Sequence, residues 1–332
     1  MAEDHLWQPT ASVDVLVQRA RIVSSVRRFF DDRHVLEVTV PSLGACTVSD
    51  PFIDALQVEC PPHAAFRRVS GYLQTSPEYF LKRLLAAGMP DCYYMGVAFR
   101  ADEPSVKHNP EFTMLEWYRL GWDEQQLCRS VFDLIRYVSE ALNERWDSPS
   151  LSYALTSYQV LFEQYLGVNP HYASVAELKC LAQSKLDIQF HAETKSLWLD
   201  LLFSHFIEPH LKGCVGIFDY PKEQSALANV VKNADGTLVA KRFEIYINGV
   251  ELANGYQELT CANTFEQRYQ KDCTIRKQEG LPPVAYDKKF VDAMKAGLPE
   301  CAGVALGIDR LIMCLLGEKD ISHVMAFSYP ST

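Results

Sequence analysis

Apolar side chains recur at helical spacing in some stretches of the chain and dominate short runs in others. In residues 13–30 (VDVLVQRARIVSSVRRFF) they stand three and four positions apart, which predicts an amphipathic helix. Runs rich in β-branched and aromatic residues predict strands at 36–40 (LEVTV), 92–99 (CYYMGVAF) and 111–118 (EFTMLEWY), and Pro41 ends the first of them. The first third of the chain is therefore predicted to contain a helix, a short strand and a strand pair joined by a polar loop.

Capping residues mark the ends of further helices. In SPEYFLKRLLAAG, Ser76 is the candidate N-cap, Pro77 suits the first helical position and Gly88 can close the helix. Asp123 and Gln126 have the spacing of a capping box in front of QLCRSVFDLIRYVSEAL. Two more helices are predicted, one opened by Asn263 and Glu266 and ending near Gly280, and one beginning at Asp309.

The middle of the chain, about residues 147–240, is predicted to be mainly helical, with a turn at Asp235-Gly236. The segment that follows, RFEIYINGVELANGYQEL, predicts two strands around Asn248-Gly249, a strong signal for a two-residue hairpin turn. Helices and strand pairs are mixed without a regular βαβ alternation. The predicted fold class is therefore α+β, a mainly antiparallel β-sheet flanked by helices.

The hairpin carries two acids whose positions follow from its turn. With a two-residue turn, Tyr246 faces Glu251 across the strands, and Glu244 faces Ala253. The two glutamates then share a sheet face about 7–8 Å apart. They would repel each other unless a cation lay between them. Carboxylate ligands of this kind suit Mg²⁺, whose coordination shell is usually completed by substrate phosphates and water. A solvated strand face with two unrelated acids is the alternative.

A second candidate surface lies on the predicted strand at 111–118. Phe112, Glu116 and Tyr118 share one face by the strand period of two, and Arg100 lies at the end of the neighbouring strand. Arginine matches phosphate geometry, an aromatic ring can stack on a base, and a carboxylate can receive a cationic substrate. A half-buried strand with Arg100 and Glu116 in a structural ion pair is the alternative.

The third candidate is the strand-to-helix junction GVALGIDRL. Gly303 and Gly307 permit close backbone approach, and Arg310 lies in the first helical turn, where a positive charge opposes the helix dipole unless an anion offsets it. An exposed arginine at a tight turn is the alternative. The sequence has no GxxxxGK[ST], GxGxxG, HExxH or GxSxG motif, so arginines, a carboxylate-held metal and aromatic stacking would have to bind any nucleotide.

Composition narrows the class of protein. A net charge of -10 argues against a general nucleic-acid binder. The chain is 48% hydrophobic and 22% charged, as in globular proteins, and no apolar run reaches the length of a membrane span. Its ten cysteines form no CxxC pair, and its first ten residues lack the pattern of a signal peptide. We therefore expect reduced thiols in a cytoplasmic protein.

Four segments, in this order, resemble the catalytic domain of class II aminoacyl-tRNA synthetases, in particular its lysyl branch. RIVSSVRRFFDDRHVLEVTVP is similar to motif 1, the dimer-forming helix and strand, and FRADEPSVKHNPEFTMLEWY is similar to motif 2. RFEIYINGVELANGYQEL resembles the lysyl-type segment that follows, and GVALGIDRL resembles motif 3. The resemblance implies one class II catalytic domain over residues 1–332, no anticodon-binding OB domain, and a homodimer formed through motif 1.

The resemblance implies a site for ATP and Mg²⁺. Arg100 and Arg310 would be the catalytic residues, with Arg100 on the α-phosphate stabilising the charge that develops there. Phe112 and Arg310 would sandwich the adenine, and either Asp102 or Glu103 would contact its amino group. The other implied ATP-binding residues are His108, Asn109, Glu244, Ile245 and Gly307, and the implied metal ligands are Glu244 and Glu251.

It also implies a pocket for an amino acid with two amino groups, which needs several carboxylates to replace its hydration. Strict alternation places Asn254 and Glu258 on the face opposite Glu251, so the resemblance requires a β-bulge, for which Gly255 is the candidate. The implied substrate-binding residues are Ser76, Pro77, Glu78, Glu116, Tyr118, Glu251, Asn254, Glu258 and Ala305, the last of which replaces a glycine usual in lysyl-tRNA synthetases.

The similarity to motif 1 begins within about twenty residues of the first residue. This arrangement resembles the elongation factor P–(R)-β-lysine ligase family, truncated relatives of lysyl-tRNA synthetase that activate β-lysine with ATP and attach it to a lysine of elongation factor P. The resemblance implies an AMP-forming ligase whose partner is elongation factor P, with neither tRNA nor a membrane as partner. The alternatives are a truncated synthetase that acts on tRNA and a non-catalytic, synthetase-like regulatory subunit.

Overall fold

The computed structural model describes residues 7–59, 70–101, 104–143, 151–187 and 194–329. Within these ranges, strands form a nine-stranded and a three-stranded sheet. The strands are β1 (Leu36–Glu37), β2 (Leu43–Gly44), β3 (Gln57–Glu59), β4 (Ser70–Leu73), β5 (Cys92–Phe99), β6 (Glu111–Leu120), β7 (Tyr153–Ser157), β8 (Cys214–Pro221), β9 (Val230–Lys232), β10 (Leu238–Ile247), β11 (Val250–Gln257) and β12 (Cys301–Gly307).

The sheets are accompanied by α-helices, none of which, in the described ranges, is long and apolar enough to cross a membrane. The nine cysteines in these ranges are free thiols. The α-helices are α1 (Val13–Asp31), α2 (Glu78–Ala86), α3 (Glu124–Asn143), α4 (Tyr158–Leu166), α5 (Val175–Lys185), α6 (Lys195–Phe206), α7 (Ala262–Gln278), α8 (Lys288–Gly297) and α9 (Ile308–Leu316).

The large sheet is mainly antiparallel. Its strands run in the order β1-β5-β6-β12-β11-β10-β8-β7, and β9 pairs with the start of β10. Only β1 with β5 and β7 with β8 are parallel among the described pairs. The α+β prediction is confirmed, as are the predicted strands at 92–99 and 111–118 and the junction at which β12 runs directly into α9.

The two faces of the large sheet are covered differently. On one face, α1, α3 and α9 bury the main core, with Phe29, Phe30, Trp117 and Ile245 at its centre. On the other face, α4, α5 and α6 pack on β8 and β10 around Trp198, while α2 packs at the β5–β6 side. The middle of this second face, over β6, β12 and β11, is left open as a cleft.

The β10–β11 hairpin confirms the predicted turn and corrects the register beyond it. Tyr246 pairs with Glu251 as expected, but Glu244 pairs with Asn254 rather than Ala253. One extra residue in β11, Leu252, causes this shift and forms the β-bulge. The bulge was therefore predicted three residues too late, at Gly255.

Gly255 has a different role in the hairpin. It lies opposite Phe243, and a Cβ at this position would stand within 3.0 Å of the Phe243 ring and of Val304. Because the Phe243 ring is fully buried, it has no free space into which it could move. Glycine at 255 is thus required by packing, not by a bulge.

Several helix predictions are confirmed and two are wrong. Asp123 Oδ1 accepts from Gln126 N (2.7 Å) and Gln126 Oε1 accepts from Asp123 N (3.0 Å), so the capping box is present. The N-cap of α2 is Pro77 and not Ser76, although the Ser76 hydroxyl accepts from Glu78 N (3.0 Å) while it donates to a buried glutamate. The N-cap of α7 is Cys261, with no side-chain cap from the predicted residues.

Two strand predictions also change. The strand predicted at 36–40 pairs only over Leu36–Glu37, at the edge of the sheet. The middle of the chain, predicted to be mainly helical, contains β7 before the helices α4, α5 and α6, and after Phe206 it contributes β8, β9 and the start of β10. The β8 sequence CVGIFDYP is a short apolar run buried mainly by neighbouring elements, and periodicity cannot distinguish such a run from a buried helix.

We expect Gly255→Ala to lower the free energy of unfolding by about 1–3 kcal/mol, the usual cost of overpacking a core. Urea denaturation followed by circular dichroism would measure it. The double variant Gly255→Ala/Phe243→Leu removes the ring that the new methyl group would meet, so it should recover part of the loss. Equal stability of Gly255→Ala and the unaltered chain would contradict this packing role.

Candidate active site

Strand register brings residues from separate segments into rows on the open sheet face. Each row crosses β10, β11, β12 and β6, and the side chains of one row stand side by side. The first row consists of Glu244, Asn254, Ala305 and Glu116. The second row consists of Arg242, Tyr256, Gly303 and Tyr118.

The β11, β12 and β6 members of these rows form the floor of a cleft of about 220 Å³. Most of the predicted site residues line it and are therefore brought together from four distant parts of the chain. They are Ser76, Glu78, Arg100, His108, Asn109, Phe112, Glu116, Tyr118, Glu251, Asn254, Glu258, Ala305, Gly307 and Arg310.

The remaining predicted residues lie elsewhere. Pro77 serves as the N-cap of α2, and Glu244 stands behind the cleft wall. The Ile245 side chain points from the opposite face of β10 into the main core, so it contributes at most its backbone to a ligand on the open face. Asp102 and Glu103 lie outside the described residues.

A buried glutamate forms the deepest acid of the floor. Glu116 is 2% exposed; its Oε2 accepts from the Ser76 hydroxyl and its Oε1 from the Tyr118 hydroxyl, both at 2.8 Å. Burial, and next the charge of Glu78, raise its pKa to about 8, against the effect of these hydrogen bonds. The Glu116 carboxyl is thus poised to lose its proton when a cation arrives.

A buried lysine stands between two further acids of the cleft. Lys82 Nζ lies 2.6 Å from Glu78 Oε1 and 2.6 Å from Glu258 Oε2, and Lys82 is 1% exposed. Burial raises the pKa of Glu258 to about 7, and Lys82 opposes this rise. Sequence reasoning missed Lys82. Its position four residues after Glu78 on one helix was the available signal.

Arg100 and Phe112 form the opposite end of the cleft. The Arg100 guanidinium carbon lies 5.5 Å from the centroid of the Phe112 ring. Its Nε is buried and has no hydrogen-bond partner among the described residues. A buried donor without an acceptor is costly, so this geometry favours an anionic ligand at Arg100.

Arg310 is fixed by neutral acceptors. Its guanidinium donates to the carbonyl oxygens of Glu251 (2.9 Å) and Lys107 (3.2 Å), and to His108 Nε2 (2.7 Å). His108 Nδ1 then carries the proton and donates to Ser105 Oγ at 2.8 Å. Among the described residues, Glu251 Oε2, at 3.7 Å, is the partial counter-ion of Arg310 in the cleft.

The residue before Arg310 ties the junction to α1. Asp309 is 1% exposed; its Oδ1 lies 2.6 Å from Arg19 Nη1 and its Oδ2 accepts from Thr113 N at 2.6 Å. Arg19 also donates to the Thr113 hydroxyl at 3.0 Å. Sequence reasoning did not identify Arg19, because nothing local pairs it with a residue 290 positions away.

The two hairpin acids fit a divalent cation in part. Glu244 Oε2 accepts from the hydroxyls of Tyr220 and Tyr246, each at 2.7 Å, and its Oε1 from Arg242. About one of its four acceptor positions remains free. The side chain of Glu251 is 43% exposed in the cleft. Glu251 would therefore be the open metal ligand and Glu244 the constrained one.

Electrostatics supports the same assignment. Although part of its side chain reaches solvent, the surrounding cleft walls desolvate Glu251; this desolvation, and then the nearby charge of Glu244, raise the pKa of Glu251, while Arg310 and Arg100 oppose the rise. A cation between the two acids would relieve this repulsion. The described residues contain no cluster of three or more potential metal-ligating side chains, so phosphate and water would have to complete a Mg²⁺ shell.

A family model described as tRNA synthetases class II (D, K and N) matches residues 6–331. The chain belongs to this family. Three proteins named elongation factor P--(R)-beta-lysine ligase are similar to it. That of Photorhabdus laumondii subsp. laumondii is 43% identical over 99% of both chains, that of Proteus mirabilis 43% over 98% of both, and that of Salmonella typhimurium 40% over 99% of both.

As a class II synthetase, the chain carries the motif 1-like segment in α1 and β1, the motif 2-like segment around β5 and β6, and the motif 3-like segment in β12 and α9. Arg19, in α1 just before the motif 1-like segment, contacts Asp309 of the motif 3-like segment and Thr113 of the motif 2-like segment. The predicted resemblance to the family is confirmed.

We expect the affinity of the free class II synthetase for a dicationic amino acid to rise about tenfold or more between pH 6 and pH 8.5. The pKa values of Glu258 and Glu116, raised to about 7 and about 8, mean that both carboxyls gain charge in this window. Calorimetric titration with lysine would measure the affinity. In Glu116→Gln the rise should end near pH 7.5, and a flat profile in the unaltered chain would contradict the assignment.

We expect Gly303→Ala to weaken lysine binding at least about tenfold, which corresponds to a loss of about 1.4 kcal/mol in binding free energy. A Cβ on Gly303 would stand within 3.0 Å of both the Tyr118 ring and Glu258 Oε1, in the wall of the cleft. Gly307→Ala is the control when nucleotide is absent, since the nearest protein atom to its Cβ would be 3.7 Å away. Similar lysine affinities for both variants would refute this role of Gly303.

Proposed function

We propose that this protein activates a diamino acid with ATP and transfers it to the ε-amino group of a lysine on elongation factor P. The observation that carries the proposal is the division of one cleft into two ends. One end holds Arg100 and Arg310, and the other holds the buried acids Glu116 and Glu258 and the half-buried Glu78. A polyphosphate and a dication therefore each find complementary charge, side by side.

In the first step, a carboxylate oxygen of the amino acid attacks the α-phosphorus of ATP. The bond from the α-phosphorus to the bridging oxygen breaks, and pyrophosphate leaves. Arg100 would hold the α-phosphate and stabilise the charge that grows on its oxygens. Arg310 would cover the adenine opposite Phe112. A Mg²⁺ ion at Glu251 and Glu244 would neutralise phosphate charge when bound.

The amino-acid end would supply most of the selectivity. Glu116 and Glu258 would receive the ammonium groups, with Tyr118 and Ser76 holding Glu116 in place. Asn254 Oδ1 is buried without a hydrogen-bond partner among the described residues, so it is available to a substrate N–H. (R)-β-lysine, named in the titles of the relatives, is the diamino acid we propose.

In the second step, an uncharged lysine amine of the acceptor attacks the carbonyl carbon of the adenylate. The bond to the AMP oxygen breaks, AMP leaves and the amine loses a proton. No covalent enzyme intermediate is required, since positioning and electrostatics carry both steps. The names of the relatives support elongation factor P as the acceptor, and this reaction would take place in the cytoplasm.

A homodimer through α1 and β1 is part of the proposal. Val13, Val17 and Leu36 expose large apolar side chains on these elements, with exposed fractions of 69%, 44% and 48%. Exposed apolar surface of this kind suits an interface with a second copy. Sedimentation at micromolar concentration should give twice the chain mass of 37.7 kDa.

A truncated synthetase that charges tRNA is the first rival. A net charge of -10 gives the chain little electrostatic attraction for a polyanion, which disfavours this rival. A non-catalytic regulatory subunit is the second. The charged groups of both ends of the cleft remain in place, which disfavours it.

The deciding experiment incubates the protein with ATP, radiolabelled lysine isomers and either elongation factor P or tRNA. The proposal expects label on elongation factor P with β-lysine preferred, and none on tRNA. Label on tRNA would establish the first rival. Pyrophosphate exchange that no lysine isomer stimulates would establish the second.

We expect Glu251→Gln to reduce amino-acid-dependent pyrophosphate exchange by about 10²-fold or more and to weaken its dependence on Mg²⁺. The side chain is partly exposed and accepts no strong hydrogen bond, so the thermal midpoint should change little. Glu163→Gln, on the surface of α4, is the control. Full exchange activity in Glu251→Gln would rule out a metal role for this residue.

A further inference from the structure

Lys82 is a buried cation within the substrate site that none of the proposed steps uses. It extends from the middle of α2 to two acids that line the cleft, and its ammonium lies 2.6 Å from one oxygen of Glu78 and 2.6 Å from one oxygen of Glu258. The Lys82 and Glu258 side chains are each 1% exposed. Water therefore does not compete for this ion pair.

Each of the two acids keeps a second oxygen that Lys82 does not contact. Glu258 Oε1 lies against the backbone of Gly303, beside the Tyr118 ring, at the wall of the cleft. Glu78 also lines the cleft, with 18% of its side chain exposed. Lys82 thus binds one oxygen of each carboxylate and leaves the other oxygen without a contact to Lys82.

Lys82 changes the net charge at the end of the cleft that holds the acids. Glu78, Glu116 and Glu258 supply three carboxylates when all are ionised, and Lys82 cancels one of them. The two remaining negative charges match a guest with two ammonium groups. A guest with one ammonium would leave a buried carboxylate without a partner, which is costly.

We propose that Lys82 is a specificity-determining residue, an internal cation that orients Glu78 and Glu258 and matches the pocket to a diamino acid. The inference rests on the proposed function, because it concerns the amino-acid end of the same cleft. It deepens that function by naming the group that sets the charge of the pocket.

Other titratable groups around Lys82 do not titrate near neutral pH. Burial raises the pKa of Tyr79, Tyr118, Tyr256 and Cys301, all of which face this cluster, so they stay neutral. Glu116 and Glu258 are the neighbours whose pKa values, about 8 and about 7, fall in the working range. Without Lys82, the Glu116 and Glu258 carboxyls would hold their protons to higher pH.

The test compares Lys82→Met with Lys82→Arg by calorimetric titration of the full chain with (R)-β-lysine and with α-lysine. At pH 7, Lys82→Met should bind either isomer at least about tenfold more weakly, the effect of one pKa unit. The loss should shrink by pH 9 as the carboxyls ionise. Lys82→Arg, which keeps the charge, should retain the pH profile of the unaltered chain. ATP binding should not change.

Lys288→Met is the matched control. Lys288 also pairs with an acid four residues along its helix, Asp292, at 2.6 Å, but its side chain is 77% exposed. It should leave binding and its pH profile unchanged. A folded Lys82→Met protein with unaltered affinity and pH profile would overturn the proposal, as would equal losses of ATP and lysine binding at every pH.

If Lys82→Met does not fold, an NMR measurement on the unaltered chain tests the proposed role of Lys82 instead. Its Lys82 ammonium, labelled with ¹⁵N and assigned with Lys82→Arg, should shift in the NMR spectrum when (R)-β-lysine is added, and an unshifted signal would overturn the proposal. These readouts need binding only. Absence of amino-acid-dependent pyrophosphate exchange in the unaltered chain would instead count against the proposed function.

Discussion

The site depends on one extra residue in a β-strand. Leu252 bulges from β11 toward the main core, so Glu251 on one side of it and Asn254 and Glu258 on the other all face the cleft. Regular alternation would have divided these side chains between the two sheet faces. The bulge thus places the end of the cleft that suits phosphate and metal beside the end that suits amino groups. The carboxylate of a bound amino acid would have to reach the phosphate from the amino-group end, so the two ends must adjoin.

Burying acids beneath a substrate has a thermodynamic cost. The pKa values of Glu116 and Glu258 are raised, so the folded chain retains protons that the unfolded chain releases above pH about 4.5. These two carboxyls therefore lower stability as pH rises from about 4.5 towards 8. A bound dication would offset this cost, so ligand binding and folding stability are coupled through the same side chains.

Sequence alone gave the fold class, the hairpin turn and most cleft residues, because those features have local signals such as Asn248-Gly249 or a motif of fixed spacing. It missed the position of the bulge at Leu252 and placed it instead at Gly255, a glycine that packing against Phe243 requires. It also missed Lys82 and Arg19, whose partners include residues far away in the chain. Non-local pairs of this kind leave no periodic pattern to detect.

The fixation of Arg310 by two carbonyl oxygens has a consequence for the ionic conditions under which this protein works. Carbonyl groups orient a guanidinium without neutralising its charge. The positive potential beside Arg310 is therefore largely retained before any nucleotide binds. Small multivalent anions such as sulfate or inorganic phosphate would then occupy the same wall. Buffer composition, and not only substrate concentration, would set the apparent affinity for ATP.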